Sequence, residues 1–204
     1  MVSTERRTVK SAGELTTVLK GLDRQDFCSA VLRDVLRGVQ LFPDALTDYL
    51  QWRPQGYTRN LVYRDDIFEL LVVCWEVGAC SAVHDHGGQE CWLAVCAGGL
   101  AVESFALQDH AQRGRAGEDI GVVCDGFFVA GSGGIDHRDA QRDLHRVANP
   151  SPQRAISVHV YACPVDTCIV YDTATGHACR QQLFYDTIAG KAVAGKAVAG
   201  KSCS

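Results

Sequence analysis

From residue 58 onward the chain is built of short apolar runs separated by turns, and no other feature constrains its fold as much. "TRNLVYRD", "IFELLVVCWEV", "SAVHDH", "ECWLAVCAG", "LAVESFAL", "IGVVCDGFFVAG", "LHRVAN", "AISVHVYAC", "TCIVYD" and "QQLFYD" follow one another, broken by Gly, Asp, Asn and Pro. Many runs of this length read as the strands of a sandwich or barrel. Before them, "AGELTTVLKGL" and "RQDFCSAVLRDVLRGVQL" repeat apolar residues at three- and four-residue spacing, which predicts helix. Pro43 restarts that pattern, and "PDALTDYLQW" predicts a short helix from there. The expectation is a mainly β fold with a barrel over about 57–187, preceded by a helical segment over about 12–52, in one domain covering 1–187. Two polar, Gly-rich stretches, 108–119 and 131–143, read as loops. Residues 188–204 repeat "AGKAV" and read as a low-complexity, disordered tail.

Charge narrows the partners. The net charge is −4, with no basic face implied, so nucleic acid is not expected. No apolar run approaches the ~20 residues that cross a bilayer, so no membrane is expected either. The N-terminus lacks the apolar centre of a secretory signal, which predicts a cytoplasmic protein with reduced thiols. Ten cysteines must then be explained. None forms a CxxC pair, and most sit in apolar strand patterns where a free thiol acts as a small hydrophobe.

The histidines carry more chemistry. In a strand, i and i+2 point to the same side, so His84 and His86 aim two imidazoles into one space. His145 and Asn149 follow at HxxxN spacing. Gly78, His84, His86 and Gly98, with the later His145, make a two-motif pattern that resembles the cupin superfamily, a small β-barrel holding a metal inside. Cupins usually add a carboxylate four or five residues after HxH. Here Glu90 and Cys91 occupy those positions, and they point to opposite sides of a strand. The distance to Gly98 favours Cys91 inward and Glu90 outward, leaving three neutral imidazoles and no carboxylate. Such a set suits iron, zinc or copper. Zinc would favour hydrolytic work and iron would favour O₂ chemistry.

Two further groups bear on the choice. Ser157, His159 and Tyr161 fall at i, i+2 and i+4 on one strand face, where a hydrogen-bonded row can orient the Tyr161 hydroxyl. Alone, such a row could equally face solvent. Tyr57 and Arg59 share a face just before the histidine-bearing strands, and Arg suits bidentate carboxylate recognition. In isolation Arg59 would be read as one half of a surface salt bridge.

With "YTRNLV", "CW" at 74–75, "HDH" with Cys91, "LHRVAN", "SVHVY" and "DTCIVYDTATGH" in order, the span from about 44 to 177 resembles the thiol dioxygenases, specifically the cysteine dioxygenase family. The resemblance implies a cupin barrel with N-terminal helices. It implies Fe(2+) held by His84, His86 and His145, with L-cysteine binding the iron through thiolate and amine and O₂ as co-substrate. Arg59, with Tyr57 beside it, would hold the substrate carboxylate. Ser157 and His159 would hold Tyr161. Cys91 and Tyr161 would be the pair that forms a thioether crosslink in the mammalian enzymes; bacterial relatives often carry Gly at the Cys91 position. A monomer is expected. Two rivals remain: a 3-mercaptopropionate dioxygenase, whose members typically carry Gln at the Arg59 position, and a non-catalytic metal-binding cupin. His110 and His137 read as solvent-exposed loop residues, and Trp92, alternating with Cys91, as packing.

Overall fold

The computed structural model describes residues 7–28, 30–107, 121–139 and 143–193. The chain opens with strand β1 (Arg7–Val9), helix α1 (Ala12–Lys20), a 3₁₀ turn (Arg24–Cys28), helix α2 (Ala30–Gly38), β2 (Val39–Leu41) and a second 3₁₀ turn (Pro43–Tyr49). Ser11 caps α1 by accepting the Glu14 N–H, and Leu15 and Leu19 form its buried stripe. The strands that follow are β3 (Tyr57–Arg64), β4 (Phe68–Trp75), β5 (Val83–His84), β6 (Cys91–Ala97), β7 (Gly99–Leu107), β8 (Val122–Gly131), β9 (Ile135–Arg138), β10 (His145–Ala148), β11 (Ala155–Ala162), β12 (Thr167–Tyr171), β13 (Ala178–Gln182), β14 (Thr187–Ile188) and β15 (Lys191–Ala192). They form two sheets, ordered β13-β12-β5-β10-β7-β8 and β15-β14-β3-β4-β11-β6-β9. This is the cupin-type barrel with N-terminal helices that the strand texture and the two-motif pattern imply.

The seven-stranded sheet is covered on both faces, which explains why β4 and β11 read as unbroken apolar runs. Phe68, Leu70, Val72 and Cys74 of β4, with Ile156, Val158 and Val160 of β11, pack against Leu15, Leu19, Phe27, Leu32 and Leu46 of the N-terminal segment. Alternate residues face the other way. Leu71, Val73 and Trp75, with Cys91, Leu93, Val95 and Tyr161, meet Leu100, Val102 and Val147 of the opposite sheet. The inner face of β11 is therefore free for Ser157, His159 and Tyr161 while its outer face holds the helices.

The structure departs from the sequence expectation in several places. The helical pattern through Leu41 ends at Gly38, because Val39–Leu41 pairs in parallel with Arg7–Val9; local periodicity does not register a distant partner. The stretch 131–143, expected to be a loop, contains β9, paired with β6. Its polarity hides the strand, since Asp136 and Arg138 are buried and neutralise each other. His137 is accordingly on a strand and half-buried. Of "QQLFYD", only the first two residues belong to β13. The expected tail begins with ordered backbone: β14 pairs in parallel with β3 and antiparallel with β15. Residues 194–204, the loop 108–119 and His110 lie outside the described residues. Seven described cysteines are free, but Cys80 is disulfide-bonded, against the expectation of reduced thiols throughout. Among the described residues no helix is long and apolar enough to cross a membrane.

Candidate metal centre

His84 and His145 stand directly opposite each other on the antiparallel pair β5–β10. His86 follows His84 by two residues, and the Gly87–Gly88 turn after it adopts positive φ at both glycines. These placements bring one nitrogen of each ring within 4.8 Å of the others. Ring centroids lie 4.7 to 5.2 Å apart. Asp85, between the two histidines, turns away and accepts the Ile169 N–H at 2.8 Å, tying the segment to β12.

Two of the rings have a hydrogen-bonded outer partner, and the third, His145, has a buried Nδ1 that faces a carboxylate without hydrogen-bonding to it. His84 Nδ1 sits 2.9 Å from the Ala82 carbonyl. His86 Nδ1 sits 2.8 Å from Asp143 Oδ1. His145 Nδ1 lies 3.6 Å from Asp136 Oδ2. Inside the cluster His86 Nε2 is buried without a hydrogen-bond partner. Burial, with neighbouring His86, lowers the pKa of His84 to about 4. Burial and the other two rings hold His145 well below its usual value. Burial opposes a proton on His86, but the Cys91 sulfur and the Asp143 carboxylate outweigh it and raise its pKa to about 10. Leaving a buried ring nitrogen unpartnered costs roughly 1–3 kcal/mol. A divalent cation among three imidazoles removes that cost, so the donor set fits a metal.

The same cavity is lined by Tyr57, Arg59, His159, Tyr161, Cys168 and Gln181. It measures about 70 Å³, against the 10–15 Å³ that one water needs by the same measure, roughly. That is space for a molecule of a few heavy atoms. Arg59 is 5% exposed. Its Nη2 lies 3.4 Å from the fully buried Glu69 carboxylate, and its Nη1 donates to the Phe184 carbonyl at 3.5 Å. Tyr185 caps this pair: its hydroxyl donates to Glu69 at 3.0 Å and its ring lies under the Arg59 guanidinium. Despite burial, the Tyr161, Glu69 and Tyr57 oxygens raise the pKa of Arg59.

On β11 the side chains form a row that begins at Trp75. Its Nε1 donates to Ser157 Oγ at 2.9 Å, and Ser157 Oγ lies 2.9 Å from His159 Nε2. Trp75 can only donate, so Ser157 Oγ accepts from it and shares its second hydrogen bond with His159 Nε2. Burial and Arg59 lower the pKa of His159 to about 3, so the ring is neutral. His159 then meets Tyr161 ring to ring, with centroids 6.2 Å apart. Tyr161 pairs in register with Cys91, and both are buried. Burial, with Cys91 beside it, holds the Tyr161 pKa well above its usual value.

Glu90 and Trp92 take the opposite side of β6. Glu90 accepts from His137 Nε2 at 2.9 Å, and His137 stacks flat on Trp92 with centroids 3.6 Å apart. His137 is thus a packing residue on the side of β6 opposite Cys91. Sequence reading missed Asp143, Asp136, Glu69 and Trp75 as members of the site's surroundings. Only Trp75, in the quoted "CW", left a signal; a lone Asp or Glu in a polar or strand stretch carries none.

A two-sheet barrel with three inward histidines that could hold a metal ion has the cupin-type architecture. Residues 1–174 match the sequence model of the family "Cysteine dioxygenase type I". The chain belongs to that family. It is 28% identical over 180 residues to "Cysteine dioxygenase type 1" of Homo sapiens, covering 87% of this chain and 86% of that protein. It is 30% identical over 145 residues to "Cysteine dioxygenase type 1" of Bos taurus, covering 70% and 69%. Among solved structures, a double-stranded β-helix protein of Klebsiella pneumoniae superposes with a TM-score of 0.43 at 17% identity, covering 67% of this chain and 86% of that one.

Proposed function

We propose that this chain is an iron(II)-dependent dioxygenase that converts L-cysteine and O₂ to cysteine sulfinic acid, both oxygen atoms passing to sulfur. The observation that carries it is one small cavity lined by three histidines, a buried guanidinium and a buried phenol. His84, His86 and His145 would hold the iron. Bound there, iron supplies the positive charge that lowers the substrate thiol's pKa and the redox partner that O₂ requires.

The chain's own residues do the rest. Arg59 binds the substrate carboxylate, and its contacts with Glu69 and Phe184 fix the guanidinium before substrate arrives. Tyr57, packed on Trp75 with ring centroids 4.7 Å apart, closes the wall beside it. Tyr161 keeps its proton at neutral pH and so donates a hydrogen bond toward the reacting oxygen. Neutral His159, held by Ser157 and Trp75, supports the Tyr161 ring and adds no charge next to the metal.

Oxygen uptake by the iron-loaded protein on addition of L-cysteine, with sulfinate as product, tests this reading. Preference for 3-mercaptopropionate would reassign the substrate, and metal binding without oxygen uptake would reduce the protein to a metal-binding cupin. His145→Ala should retain no iron; iron at wild-type stoichiometry in that variant would refute the ligand set.

A further inference from the structure

The three imidazoles are backed unequally. His84 faces a neutral carbonyl, that of Ala82. His145 faces Asp136, but Arg138 already takes both oxygens of that carboxylate, at 2.7 and 3.0 Å, and is itself held by Ser104 at 2.7 Å. His86 faces Asp143, whose Oδ1 accepts the His86 backbone N–H at 2.9 Å and lies 2.8 Å from the ring Nδ1. Oδ2 accepts the Gly88 N–H at 3.4 Å. Asp143 is 2% exposed, and among the described residues no Arg or Lys pairs with it. The negative charge of Asp136 is thus compensated beside its histidine, whereas Asp143 contacts the His86 ring and two backbone N–H groups and, among the described residues, no cationic side chain. Asp143 also precedes His145 by two residues, so one carboxylate ties the His84–His86 segment to the stretch that delivers the third ring.

We infer that Asp143 is a positioning residue for the metal centre: it holds the His86 ring proton on Nδ1, aims Nε2 inward, and lends the three imidazoles the one negative charge that no direct ligand supplies. A carboxylate behind a metal-bound histidine fixes the ring's tautomer and raises its basicity as a ligand. The inference rests on the metal-centre reading given above.

The test is metal affinity. Anaerobic competition with a chromophoric chelator should show Asp143→Asn binding iron(II) about 10–100-fold more weakly than wild type. Asp143→Glu should recover part of the loss, and Asp136→Asn should lose less. Nitrogen-15 NMR of the zinc-loaded wild-type protein should find the His86 proton on Nδ1 and the metal on Nε2, a readout that general loosening of the fold would not produce. Wild-type affinity in Asp143→Asn, or zinc on His86 Nδ1, would overturn the inference. If Asp143→Asn does not fold, the NMR assignment alone decides. His86→Ala separates the two readings: full affinity there would overturn the metal centre itself, whereas lost affinity there with none lost in Asp143→Asn overturns only the role of Asp143.

Discussion

Cys91 and Tyr161 lie directly across from each other on the paired antiparallel strands β6 and β11, both turned into the barrel, with the His86 ring 5.7 Å from that of Tyr161. Register sets this contact, so it needs no loop rearrangement to form. If a thioether joins them, the iron-loaded protein after turnover with cysteine should be lighter by two hydrogens, as read by intact-mass spectrometry. Cys91→Ala should show no such loss and should retain activity at a reduced rate. A mass unchanged after many turnovers would mean that the pair stays uncoupled.

Arg59 offers a second test. If Arg59 holds the substrate carboxylate as proposed, Arg59→Ala should cost roughly 2–4 kcal/mol of substrate binding, or about 30- to 1000-fold in KM. It also strips the buried Glu69 of its closest cation. Adding Glu69→Gln should therefore restore stability to thermal unfolding without restoring KM. Steady-state kinetics unchanged in Arg59→Ala would remove this side chain from substrate binding.

His159 predicts a pH dependence. Its pKa falls from 6.5 to about 3 on folding. Below the unfolded value the denatured chain takes up a proton that the native ring refuses, so stability falls as pH drops from 6.5 toward about 3. Above that window the ring contributes no pH dependence. Urea midpoints of the metal-free protein at about pH 5 and about pH 7 measure the effect. His159→Gln should lose less stability between the two than wild type. An equal loss in both would mean that native His159 is already charged.

Gly98, in the turn from β6 to β7, has φ +69, and a Cβ there would lie 2.7 Å from the Arg154 carbonyl oxygen. Both the backbone conformation and the close approach demand glycine. Gly98→Ala should lower stability by about 1–3 kcal/mol, measured by denaturant unfolding, with iron stoichiometry unchanged in the folded fraction.

Much of this centre could be read from the chain because strands impose a period of two. That period puts His84 with His86, puts Ser157 with His159 and Tyr161, and sends Cys91 and Glu90 to opposite faces. The helical segment was legible for the equivalent reason, as in the Leu15–Leu19 stripe of α1. The β9 strand was not, because its alternation is carried by Asp136 and Arg138, charges that look like loop until each is seen to neutralise the other.

By itself the sequence determined which residues share a face, since that follows from local backbone geometry. Only the tertiary structure decided which faces meet: His145 opposite His84 across β5 and β10, Glu69 against Arg59, Asp143 behind His86. Those pairings depend on strand order and register between segments far apart in the chain, and on low-dielectric burial that makes a single carboxylate consequential. No local pattern encodes either.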